Sequence, residues 1–148
     1  MRTVIQRVKE AKILVNGECV SEIGVGILVL LGAESGDTGK EADYLAHKIV
    51  NFRIFRDEND RMNMSVKDVG GEVLVVSQIT LASHVKKGLR PDFSGAIDED
   101  SAKTLYERFV QNVREEGVSV KTGVFKAHME VHMINDGPVT FIIERNPK

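Results

Sequence analysis

Ala11-Lys12-Ile13-Leu14-Val15-Asn16-Gly17-Glu18-Cys19-Val20-Ser21-Glu22-Ile23, followed closely by Ile27-Leu28-Val29-Leu30-Leu31, decides the fold class. Asn-Gly is the pair that best tolerates the positive φ angles of a two-residue hairpin turn, so a hairpin closes near residue 16. Residues 11–15 form its outgoing strand and residues 18–23 its return. The run 27–31 is apolar without interruption over the length of one strand, as expected of a strand covered on both faces. Upstream, residues 3–8 read as a separate strand alternating around Arg7. Gly24-Val25-Gly26 has no third glycine at the right offset and opens no helix, which makes it a turn and not a dinucleotide fingerprint.

Beyond this β-rich start the periodicity changes. Thr38 and Glu41 have the spacing of a capping box, and Ala42, Leu45, Ala46, Ile49 and Val50 recur at helical intervals, predicting a helix over 39–51. Ala102, Leu105, Tyr106, Phe109, Val110 and Val113 make a second, stronger stripe, with Gly117 as its stop. Strands are expected at 52–55, 73–76, 118–121, 129–134 and 139–144, with turns at 57–61 and at Gly70-Gly71. The result is an α/β chain, mainly β, with two amphipathic helices. No repeat or linker divides residues 1–148, so a single domain is expected. The longest stretch without a pattern, 82–98, is a connection of a length that is more often functional than idle.

Composition narrows the function. The chain has 148 residues, 42% of them hydrophobic, and 20 Lys and Arg against 22 Asp and Glu. A net charge of -2 argues against coating long nucleic acid, whose non-specific affinity comes from neutralising many phosphates; it leaves room for gripping one RNA end. Cys19 is the only cysteine, so there is neither an intramolecular disulfide nor a cysteine cluster for zinc. No apolar run has the length of a signal peptide core or a membrane span. The expected protein is cytoplasmic, without cofactor or metal and without DNA or membrane partners.

Chemistry concentrates in two segments. Ser77-Gln78-Ile79-Thr80 ends a buried strand and delivers two hydroxyls, a carboxamide and backbone N–H groups, which could polarise a carbonyl and stabilise an oxyanion. The plainer alternative, Ser and Thr satisfying backbone groups at a strand end, carries the greater weight on residue chemistry alone. Asn135-Asp136-Gly137-Pro138 reads as a turn between two strands, and a cis bond before Pro138 would be needed to make it special; about 5–6% of X-Pro bonds are cis. No spacing links His47, His84, His128 or His132 to Thr80 as a general base. His128 and His132 would share a strand face, without a third ligand to complete a metal site. Lys86, Lys87 and Arg90 form a basic group that could hold one or two phosphates or simply face water.

Ser77-Gln78-Ile79-Thr80-Leu81 and Asn135-Asp136-Gly137-Pro138-Val139-Thr140, with Gly88-Leu89-Arg90-Pro91-Asp92-Phe93 between them, resemble the motifs of the D-aminoacyl-tRNA deacylase family in order and in kind. Residues 1–8 and 48–55 resemble its opening strand and central block, so the resemblance covers essentially the whole chain. It implies a barrel-like, layered fold and a homodimer that hydrolyses the ester joining a D-amino acid, or glycine, to the 3' end of tRNA. It implies that Ser77, Gln78, Ile79 and Thr80 bind and polarise the carbonyl, with help from the terminal ribose 2'-hydroxyl. Gly137 and Pro138, joined by a cis peptide, would exclude L-amino acids from the partner's pocket. Arg7 would brace that turn across the dimer interface, and Phe125 and Met129 would line the adenine side. Ile79 departs from the family's usual aromatic, residues 82–84 from its usual run, and Lys126 from its usual glycine.

Overall fold

The computed structural model describes residues 1–147. β1 (Arg2–Val15) is one strand of 14 residues, where the alternation pointed to two separate ones. Arg7 and Val8 are both buried, and Lys9 and Glu10 are both exposed. That doubling is the mark of a shift in strand register, and the pairing along β1 indeed shifts between residues 6 and 10. The charged pair therefore marks a bulge and not a break. The hairpin closes as expected: Asn16 and Gly17 take φ of 52° and 80°, and β2 (Glu18–Ile23) returns along β1.

β3 (Gly26–Gly32) runs antiparallel to β1. After it the chain forms α1 (Gly39–Asn51), then a short hairpin of β4 (Phe55–Arg56) and β5 (Met62–Met64). The strand expected at 52–55 survives only in Phe55. Phe52 instead caps α1 and sets its ring edge-on against Phe141 at 5.1 Å. β6 (Glu72–Ser77) lies parallel to β3, and β7 (Ser119–Thr122) parallel to β6. Parallel neighbours need crossovers. α1 serves the first, and α2 (Glu99–Glu115) the second. Both helices start on side-chain caps. The Thr38–Glu41 box is present, and the Asp98 carboxylate accepts from Ser101 N at 2.9 Å.

The apolar run of β3 is covered twice, as its composition requires. Ile27, Val29 and Leu31 join Val73 and Val75 beneath the helices, with Leu45, Ile49 and Phe109. Leu28 turns the other way with Leu74 and Val76, toward Ile13 and Ile23, and Met129 and Met133 pack against that second cluster. The sheet therefore curls on itself, and Lys121 Nζ donates to Glu22 O at 2.7 Å across its nearly closed side. No helix among the described residues is long and apolar enough to cross a membrane.

β8 (Glu130–Glu144) corrects the reading of residues 135–138 as a turn between strands. Its two halves pair with the same strand, β1, in the same antiparallel sense. Gln6 faces Thr140 and Val8 faces Asn135, so residues 136–139 stand out opposite Arg7 alone. Chain reversal would need the second half to pair with the first. Here both halves follow β1, and the segment is a large bulge. His128 precedes β8, so it does not share a strand face with His132.

Candidate active site at the carboxyl edge of the parallel strands

β3, β6 and β7 point the same way, so their carboxyl ends meet at one edge of the sheet, where ligand sites of open α/β sheets collect. Ala33 follows β3, Ser77 to Ile79 end β6, and Phe125 to Met129 follow β7; together they line a cavity of about 360 Å³. Ile97, Glu99 and Ala102, at the start of α2, close its rim.

The polar wall is fixed by backbone. Gln78 N donates to Leu31 O at 2.8 Å, which carries the β3–β6 pairing one residue past the strand. A single 3₁₀ turn follows over Ile79–Ala82. The first N–H groups of any helix have no acceptor within it, and Ile79 N and Thr80 N have no backbone acceptor among the described residues; Ile79 lines the cavity, whereas Thr80 is exposed beside it. The Gln78 carboxamide donates to the Thr80 hydroxyl in a short contact, and Ser83 Oγ donates to Thr80 O at 2.6 Å. Gly32 is a site-forming residue that carries no motif signal. A Cβ there would lie 2.6 Å from Leu81 Cβ and 3.0 Å from Gln78 O, so only glycine lets β3 approach the turn.

The apolar wall comes from Phe125 and Met129, and both also pack into the core. The Phe125 ring centroid lies 5.8 Å from that of Tyr106 on α2. Tyr106, on the apolar stripe, does more than pack. Its hydroxyl donates to Val75 O at 2.9 Å, and burial pushes its phenol up to about 12. It thus ties α2 to β6 directly behind the pocket.

Lys126 takes φ of 70°, a left-handed conformation that favours glycine. Its Nζ pairs with Glu99 at 2.7 Å on the cavity rim, and that carboxylate raises the ammonium above its ordinary range. Of the histidines only His128 lines the cavity. His47 contacts Glu116 at 2.7 Å and His132 contacts Glu130 at 3.4 Å. His84 pairs through its backbone with Asp92. No three His, Cys, Asp or Glu groups among the described residues are arranged to hold a metal ion. Lys86, Lys87 and Arg90 are exposed on the long connection and do not line the cavity.

Gly137 and Pro138 also lie outside it. The peptide between them is cis. Their bulge is tied to β1 from two sides. Arg7, only 2% exposed, donates through Nε to Asp136 O at 2.9 Å and through Nη1 to Ile54 O at 2.6 Å. Asn135 Nδ2 lies 3.0 Å from both Arg7 O and Val139 O, and Asn135 Oδ1 accepts from Val139 N at 3.3 Å. Arg7 thus holds the bulge of its own chain. A Cβ on Gly137 would fall 2.1 Å from Val139 N, so the bulge has no room for a side chain there.

A pocket with the Ser77 hydroxyl and the Gln78 carboxamide on one wall, and an aromatic and a methionine on the other, suits an acyl group attached to a larger body. The class is a small α/β hydrolase with a nearly closed, barrel-like sheet. The family model described as D-Tyr-tRNA(Tyr) deacylase matches residues 4–144. The D-aminoacyl-tRNA deacylase of Pelobacter propionicus is 54% identical over 145 residues, covering 98% of this chain and all of that protein. That of Geobacter sulfurreducens is 53% identical over 144 residues, covering 97% and 95%. A solved structure titled c-Myc DNA Unwinding Element Binding Protein superposes with a TM-score of 0.93 at 42% identity, covering 99% of this chain and all of that one. A probable eukaryotic D-amino acid tRNA deacylase, 20% identical with a TM-score of 0.84 and coverage of 97% and 98%, shares the fold. The chain belongs to the D-Tyr-tRNA(Tyr) deacylase family and is a hydrolase of the D-aminoacyl-tRNA deacylase kind.

Proposed function

We propose that residues 1–148 act as one catalytic domain that clears D-amino acids, and misplaced glycine, from tRNA in the cytoplasm. The observation that carries this is the convergence of three parallel strand ends on one cavity, with Ser77, Gln78 and Ile79 on its polar wall. The ester carbonyl sits against that wall and accepts from Ile79 N and Thr80 N, oriented by Ser77, Gln78 and Thr80. An aminoacyl ester is already activated, so placing water and stabilising the oxyanion suffices. Water adds to the carbonyl carbon. The tetrahedral intermediate then collapses with cleavage of the bond to the ribose oxygen, which leaves with a proton, giving free amino acid and tRNA. The neighbouring ribose 2'-hydroxyl of the substrate assists the proton transfers, and Phe125 and Met129 flank the adenine. Lys86, Lys87 and Arg90 offer weaker phosphate contacts further along the RNA.

Gly137 and Pro138 act as the chirality filter, entering the pocket of a second copy of the chain and excluding an L side chain by contact. Two features support a homodimer. Residues 135–138 do not reach the cavity of their own chain, and the outer edge of β8 is unpaired among the described residues while Ile134 and Ile142 are 49% and 67% exposed. Arg7 keeps the bulge in place from within the same chain. The relative named for a DNA element raises the question of duplex binding, but a net charge of -2 offers little counterion release for it.

The covalent alternative, with Thr80 as nucleophile, is separated by one variant. Removing one oxyanion-orienting group costs at most about 10²–10³ in rate, so Thr80→Ala retains measurable hydrolysis of D-tyrosyl-tRNA. Complete loss together with an acyl-enzyme trapped on the wild type would select the nucleophile instead.

A further inference from the structure

We propose that Lys126 is a phosphate-binding residue for the RNA end of the substrate, held at the cavity rim by Glu99 until the phosphate displaces that carboxylate. The inference rests on the deacylase reading and assigns the same site a specificity element. Among the described residues three that are not glycine have positive φ: Asn16, Asp60 and Lys126. Asn and Asp relieve this conformation through short polar side chains, whereas lysine has no such local partner. Its contact to Glu99 does not account for its presence. The two side chains are 69% and 57% exposed, and exposed pairs of this kind contribute little to stability. Glu99 is also suited to the first turn of α2 without any partner, since a carboxylate there faces the helix N-terminus. Folding therefore gives no reason for a lysine at this position.

Binding does give one. Lys126 and Glu99 line the same cavity as Ser77 to Ile79, so the ammonium stands beside the body of any molecule whose acyl group enters there. In an aminoacylated RNA that body is a phosphodiester chain. Among the described residues Lys126 is the only lysine or arginine lining the cavity, because Lys86, Lys87 and Arg90 lie outside it. An ammonium on a flexible stem can exchange a carboxylate oxygen for a phosphate oxygen with little rearrangement. Without the lysine, Glu99 would face the phosphate uncompensated, so its loss both removes an attraction and exposes a repulsion.

The test compares D-tyrosyl-tRNA with D-tyrosyl-adenosine, the same ester without any phosphate. For Lys126→Gly, KM for the tRNA rises by about 5–20-fold with kcat within about twofold, and the slope of log kcat/KM against log salt becomes shallower by about 0.7, the value for one single-strand phosphate. On the adenosine ester the change stays within about twofold, Lys126→Arg keeps most of the tRNA affinity, and Glu99→Gln lowers KM for the tRNA. Equal weakening on both esters, or an unchanged salt slope, would overturn the phosphate role. Wild-type protein that hydrolyses neither ester would instead overturn the deacylase reading beneath it.

Discussion

Replacing Arg7 with methionine asks whether the bulge at 136–139 depends on a buried guanidinium. Methionine keeps most of the stem volume and removes every donor. The loss is readable from the contacts: a 2.9 Å bond to Asp136 O, a 2.6 Å bond to Ile54 O, and an approach of 3.4 Å to the Asp136 carboxylate. Hydrogen bonds from a charged donor are worth about 1.5–3 kcal/mol each, and the side chain is almost fully buried, so the abandoned carbonyls cannot all turn to water. A cost of about 3–5 kcal/mol follows, the range for breaking a buried charged contact. Urea denaturation would measure it as a lower midpoint at unchanged slope. Selectivity gives a second, independent readout. If Arg7 aims Gly137 and Pro138, the variant below its unfolding midpoint hydrolyses L-aminoacyl-tRNA measurably faster relative to the D form than wild type does. Arg7→Lys, which keeps the charge but not the fork, should recover only part of both losses. A cost under about 1 kcal/mol with unchanged selectivity would refute the bracing role.

Gly137→Ala should act on the same bulge from the other side: with a Cβ 2.1 Å from Val139 N, the backbone must move, and D-versus-L discrimination should fall even if the protein remains folded by circular dichroism. Asp37 pairs with the buried N-terminal ammonium at 2.7 Å and accepts from Glu34 N at 2.7 Å, so Asp37→Asn should cost about 3 kcal/mol in denaturant unfolding while leaving kcat nearly unchanged. Tyr106→Phe removes the bond to Val75 O and should lower stability by about 1–1.5 kcal/mol. The raised phenol adds a pH signature with a fixed sign. An unfolded tyrosine ionises near 10 and the folded one only at about 12, so the wild type loses stability as pH rises through that window, and the variant loses less.

The helices and the β3 core were legible because their signals are local. A capping box needs only Thr38 and Glu41, and five uninterrupted apolar residues flanked by glycines have the length and boundaries of a strand covered on both faces. The hairpin at Asn16-Gly17 was legible for the same reason. β8 was not, because a bulge and a hairpin turn use the same residues: Asn, Asp, Gly and Pro mark a departure from regular pairing without saying whether the chain then reverses. That answer lies in β1, 128 residues away, where Arg7 bonds to Asp136 and the Asn135 side chain bonds back to Arg7 O. The strand expected at 52–55 failed because Phe52 serves as the helix cap, a tertiary use of an aromatic that propensity alone cannot foresee. Of the candidate site, Ser77 to Thr80 could be located from residue chemistry only as a strand end; the motif resemblance singled it out, and β3 and β7 end at the same edge of the sheet. Gly32 and Tyr106 gave no motif signal. Their roles are a close approach and a hydroxyl tether, and both depend on neighbours distant in sequence.

The most direct test of the central reading is the release of amino acid from D-tyrosyl-tRNA and from L-tyrosyl-tRNA by the purified protein under single-turnover conditions, each measured against buffer. The account predicts rapid release from the D ester and release from the L ester close to the buffer rate. Release from the D ester no faster than in buffer, or equal release from both, would contradict it.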